Sequence, residues 1–149
     1  MNSRAYTILL LIGAAACGSD TTTEPPNALV GSYTATQWET TGGSPSGQTN
    51  QLLAGSYLHI TLASDGTTSG QLHVAASGSN PAVDADMAGT WSESNDKVTL
   101  SQSVDTFVRN LTFTVVPNGT KWSLTADQVF SGTRIQITLD QLVYFALPH

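Results

Sequence analysis

The stretch Tyr57-Leu58-His59-Ile60-Thr61-Leu62-Ala63-Ser64-Asp65-Gly66-Thr67-Thr68-Ser69-Gly70-Gln71-Leu72-His73-Val74 decides the fold class of this chain. Leu58, Ile60 and Leu62 alternate with less apolar neighbours, the period-two pattern of a strand with one buried face. A second run, ending in Leu72 and Val74, follows Ser64-Asp65-Gly66. The register follows from the side chains, because a slip of one residue moves a strand's whole apolar set to the other face. A two-residue turn would set Leu58 opposite His73. A three-residue loop, with Gly66 in the left-handed bulge position, sets Leu58 opposite Leu72 and Tyr57 opposite His73, so the apolar residues share a face. The expectation is an antiparallel hairpin with that second register.

The same alternation recurs outward in both directions, over runs at 31–38, 87–93, 98–102, 107–116, 121–127 and 134–140, besides 57–63 and 67–74. A last segment at 142–147 extends or pairs with the final run. Turn residues separate the runs, as at Ser94-Asn95-Asp96 and Pro117-Asn118-Gly119. No amphipathic helix interrupts them. Polar stretches at 40–50, with Gly42-Gly43 and Pro45, and at 75–82 read as longer loops, the first as a mobile loop or lid. Serial hairpins make a meander, and about eight strands are enough to close an up-and-down barrel, which removes the exposed edges of an open sheet. The expected fold is therefore an all-β, antiparallel up-and-down meander barrel. An immunoglobulin-like sandwich would need Greek-key crossovers that local hairpins disfavour.

Three tripeptides place an aromatic residue two positions after a glycine: Gly31-Ser32-Tyr33, Gly55-Ser56-Tyr57 and Gly89-Thr90-Trp91. The first, near the start of the meander, resembles the Gly-x-Trp signature of lipocalins, with Tyr33 standing where that family has tryptophan. The run 29–140 is similar in layout to lipocalin-like domains of bacterial lipoproteins. The resemblance implies that Arg134, on the last strand, packs across the first-strand aromatic. Alternatively, the glycines ease tight bends and the aromatics fill ordinary core.

The N-terminus has a separate logic. Arg4 precedes an uncharged run with the core Ile8-Leu9-Leu10-Leu11-Ile12, ending in small residues, the order of a secretory signal. About a dozen apolar residues fall short of the roughly 20 needed to cross a bilayer. Gly13-Ala14-Ala15-Ala16-Cys17 resembles the lipobox of bacterial lipoproteins, in which the cysteine is acylated and becomes the first residue. That resemblance implies removal of residues 1–16, lipidation of Cys17, and, with Gly18 following, an outer-membrane destination in the cell envelope. Residues 17–28, polar and bearing Pro25-Pro26, read as a tether, and residues 29–149 as the barrel domain.

Composition narrows the partners. Loss of Arg4 leaves four basic residues against eleven acidic ones, a balance of −7. That acidity disfavours nucleic acid and anionic lipid, which require basic patches. Membrane contact is expected through the N-terminal lipid, and protein partners are open. Cys17 is the sole cysteine, so no intrachain disulfide supports the fold.

The search for chemistry yields little. His59 and His73 fall on the polar face of the hairpin, but those strands carry no acidic residue to complete a zinc site. Asp84 and Asp86 share a face if extended, without the further oxygen ligands of a calcium loop. No serine lies in a Gly-x-Ser-x-Gly elbow. The expectation is no enzyme, no metal and no cofactor. The preferred reading is a binding module that holds a small apolar or amphipathic ligand, possible lining residues being Tyr33, Leu58, Ile60, Trp91, Leu111, Phe113, Trp122 and Ile137. The alternative is a packed structural or protein-interaction domain whose aromatics are all consumed by the core.

Overall fold

The computed structural model describes residues 27–42 and 47–143. Cys17, the signal, most of the tether and residues 144–147 of the expected last segment lie outside the described residues. A 3₁₀ turn, Asn27–Leu29, leads into ten strand segments: β1 (Gly31–Thr41), β2 (Gln48–Asn50), β3 (Tyr57–Leu62), β4 (Thr67–Val74), β5 (Val83–Asp86), β6 (Gly89–Ser94), β7 (Lys97–Gln102), β8 (Thr112–Asn118), β9 (Lys121–Phe130) and β10 (Thr133–Gln141).

Pairing reduces these ten to eight staves. β2 and β3 lie along one edge of β1, pairing with Glu39–Thr41 and Gly31–Thr34 respectively. β5 and β6 likewise share one edge of β4, opposite 71–74 and 67–68. The staves run β1, β2–β3, β4, β5–β6, β7, β8, β9, β10, every neighbour antiparallel, and β10 returns to pair with β1 from Tyr33↔Gln141 to Thr41↔Arg134. The result is a closed eight-stave up-and-down barrel, as the alternating sequence pattern implies, and compatible with a lipocalin-like fold. The hairpin register is the expected one, with Leu58↔Leu72 and Tyr57↔His73, and Gly66 takes φ +80°.

Among the described residues twenty apolar side chains form the core, many supplied by alternate positions such as Leu58, Ile60 and Leu62 on β3 and Ile135, Ile137 and Leu139 on β10. Their burial is the main stabilising term of a domain this size, at about 25 cal/mol per Å² of apolar surface removed from water. A bulge in β1, where the register slips between Ala35 and Gln37, turns Thr36 and Gln37 both outward and brings Trp38 in. Tyr33 and Trp38 are thus both interior although five residues apart.

Because the staves alternate in direction, each barrel end collects a fixed set of connections. The start of β1 and the end of β10 share one end, where the Leu142 amide donates to the Ser32 carbonyl at 2.7 Å. The opposite end holds the connection from β7 to β8. Two expectations need correction there. Phe107–Asn110 is a 3₁₀ turn, not the beginning of a strand, because adjacent Phe107 and Val108 break the alternation and fold over the barrel end. Part of the 40–50 loop is strand, since β1 runs to Thr41 and β2 begins at Gln48.

Arg134 does not pack across Tyr33. It points outward at the end of β10 remote from Tyr33, where Nε and Nη2 donate to Asp127 at 2.7 and 2.6 Å. Gln141 stands opposite Tyr33 instead. The phenol of Tyr33 donates to the Leu29 carbonyl at 2.8 Å, drawing the first 3₁₀ turn over the end of the barrel near the termini.

Candidate functional site

Seven of the eight expected lining residues belong to the barrel core. Tyr33, Leu58 and Phe113 expose none of their surface, and Ile60, Leu111, Ile137 and Trp91 at most 4%. Trp122 is half-buried and packs against the same cluster. Their side chains belong to, or pack against, one contiguous apolar cluster. Trp91 is fixed by a hydrogen bond from Nε1 to the Ala63 carbonyl at 2.9 Å. Burial pushes the Tyr33 phenol well above its ordinary pKa, because the charged form would lose its hydration.

A different set of interior groups, absent from the sequence reading, stands out at the 3₁₀-turn end. Trp38 Nε1, Gln102 Nε2 and Oε1, and Thr106 Oγ1 are buried and have no hydrogen-bond partner among the described residues. They converge on one segment. Gln102 ends β7 with 3% exposure, facing inward in line with Val98 and Leu100. Thr106 immediately precedes the 3₁₀ turn, and the ring of Phe107 lies 5.4 Å from that of Trp38. Buried polar groups are nearly always paired, since an unpaired one costs about 1–3 kcal/mol, so four such atoms beside one segment mark this end as chemically unfinished.

The segment that covers them, 103–111, is held lightly. Ser103 N–H donates to the Ala88 carbonyl at 2.9 Å at its start, and Thr112 N–H to Gln128 Oε1 at 2.7 Å just beyond its end. Between these anchors the hydrogen bonds and the Arg109–Asp105 ion pair, at 3.6 Å, stay within the segment. Its attachment to the barrel is therefore the burial of Val108 and Leu111 and the partial burial of Phe107.

The outer surface contrasts with this. A polar hollow of about 620 Å³ crosses β1 and β7–β10, lined by Gln37, Glu39, Lys97, Asp127, Gln136 and Thr138 among others. Its groups satisfy one another: Thr138 donates to Gln37 at 3.3 Å, Lys97 to Thr114 at 2.6 Å and Gln136 to Asp127 at 3.2 Å.

The histidines expected on a polar face are there, with an addition. β5 brings Asp84 to His73, Nδ1 to Oδ1 at 2.7 Å, supplying the carboxylate that β3 and β4 lack. The ring of Tyr57 stacks on His73 at 5.2 Å and meets His59 at 5.5 Å. Tyr57 thus separates the two imidazoles. Among the described residues, no group of three or more His, Cys, Asp or Glu side chains converges as metal ligands. Asp84 and Asp86 do share the exposed face of β5.

No family model, curated protein or solved structure matches the chain.

Proposed function

We propose that this protein is a lipoprotein held at a cell-envelope membrane, the outer membrane by resemblance, through acylated Cys17, and that its barrel binds a small apolar or amphipathic ligand. The observation that carries the binding reading is the set of buried, unpartnered polar atoms of Trp38, Gln102 and Thr106 at one end of the barrel. A ligand with polar groups at that depth would complete their hydrogen bonds. Eight-stave barrels are wide enough either to fill with side chains or to hold one small molecule. The lipid anchor rests on the Arg4, Ile8–Ile12 and Ala14–Cys17 pattern of the sequence.

The second reading, a packed structural or protein-interaction domain, draws on the sealed surfaces of Tyr33, Leu58 and Phe113. Native mass spectrometry of the full chain, released from its membrane in mild detergent, tests the two against each other. A co-purifying small molecule supports the ligand reading. A clean mass that persists after incubation with envelope lipid extract supports the packed domain. In the same spectra, diacylglyceryl mass on Cys17 supports the anchor, and an unmodified cysteine overturns it.

A further inference from the structure

We infer that segment 103–111 is a removable plug over a subsite formed by Trp38 and Gln102, and that the subsite takes a neutral amphiphile whose head both donates and accepts hydrogen bonds, as a primary amide or an alcohol does. This rests on the ligand-binding reading above and specifies its site and its chemistry.

The head group follows from the donor set. The indole N–H of Trp38 can only donate, so it requires an acceptor. The Gln102 amide offers both a donor and an acceptor, and neither is used among the described residues. A primary amide matches this set in both directions, and a hydroxyl matches it with one atom.

Neutrality follows from what surrounds the subsite. The buried polar residues among those described are Ser56, Thr68, Gln102 and Ser123, none of them charged. An ionised carboxylate or ammonium entering the barrel would shed its hydration without meeting a counter-charge, a far larger penalty than an amide pays. The apolar part of the ligand has a ready place. Phe107, Val108 and Leu111 now pack against the interior as side chains of the plug, and outward movement of 103–111 releases that volume without breaking a barrel ladder. The plug and the ligand therefore compete for the same space, each burying apolar surface that the other leaves to water.

The experiment titrates the full-length chain at pH 7 with decanamide, decanol, decanoate and decyltrimethylammonium, following tryptophan fluorescence and hydrogen exchange. Decanamide and decanol are expected to bind, with decanoate and the ammonium weaker by about tenfold or more. Gln102→Leu is expected to lower decanamide affinity by about tenfold while leaving the fold at least as stable, since it removes an unpaired buried amide. Saturating decanamide should speed exchange at the amides of 104–110 while slowing it in the strands. Equal affinity for all four probes, or unchanged affinity in Gln102→Leu, overturns the subsite and leaves the binding barrel standing. Slower exchange at 104–110 overturns the plug, and needs no variant. Failure of every probe overturns the ligand reading itself.

Discussion

The indole of Trp38 lies 5.4 Å from the phenyl ring of Phe107, the planes tilted by 39°, while its N–H has no partner among the described residues. Trp91, by contrast, donates its N–H to the Ala63 carbonyl at 2.9 Å. Replacement by phenylalanine should separate the two. Trp91→Phe forfeits a hydrogen bond to a carbonyl that keeps the Gly66 amide as its other donor, whereas Trp38→Phe discards an unpaired donor. Trp91→Phe is expected to be the more destabilising by about 1 kcal/mol, measured by urea denaturation at equal m-value.

Removing the Tyr33 hydroxyl tests the other end of the barrel. Tyr33→Phe orphans the Leu29 carbonyl and leaves the 3₁₀ turn Asn27–Leu29 held by Gln141 and the burial of Leu29, at an expected cost of about 1–2 kcal/mol. The wild-type phenol should resist ionisation. Its folded pKa is raised, so the neutral form is favoured by folding, and the stability it contributes is full below the ordinary tyrosine pKa and lost as pH rises through the folded one. Ultraviolet titration should show one tyrosine that ionises only when the protein unfolds in alkali.

Asp140 ties its own stave, β10, to three others. It accepts hydrogen bonds from Ser123, Thr36 and Asn118, and the Ser123 bond, with the others, holds its carboxyl below the ordinary value of 3.8. A depressed folded pKa contributes stability above the unfolded pKa and loses it as pH falls through the folded one. Asp140→Asn should therefore cost about 1 kcal/mol at pH 7, allowing for solvent screening. The gap from wild type should close as the pH drops below 3.8 towards the folded pKa and beyond, in paired thermal melts.

Gly70 and Gly89 sit where two strands approach too closely for a side chain. A methyl at Gly70 would overlap the His59 carbonyl, at a φ of +138° that L-residues rarely adopt, and one at Gly89 would overlap the Ser101 carbonyl. Gly78, also at positive φ, faces open space. Alanine at 70 or 89 should cost about 3 kcal/mol or more, against about 1 kcal/mol at 78, a ranking that melting temperatures will check.

Where the sequence was legible, the reason is that a half-buried strand has two chemically distinct faces. Leu58 and Leu72 could share a face in only one register, and the structure adopts it. Trp38 was hidden by the bulge: strict alternation from Tyr33 sends position 38 outward, and the extra residue at Thr36 reverses it. The strand at Val83–Asp86 was missed because a single buried alanine gives almost no apolar signal, and with it went the His73–Asp84 pair. Gln102 did carry a readable mark, a polar residue in the inward phase set by Val98 and Leu100. The turn at Phe107–Asn110 carried a weaker one, the adjacent Phe107 and Val108, masked because Phe107 and Phe113 share a parity that passes for one long strand.

The seam between β1 and β10 has a bearing on how the chain reaches its native state. Most other ladders join segments close in sequence, but Tyr33 meets Gln141 across nearly the whole domain. Until the final strand is available, the meander can form hairpin by hairpin yet keeps two open edges, one on β1 and one on β9, each able to recruit a neighbouring molecule. Closure is then a late event that converts a row of local hairpins into a single cooperative unit. A chain truncated before Thr133 should have no cooperative unfolding transition and a strong tendency to aggregate, although it retains nine of the ten strand segments.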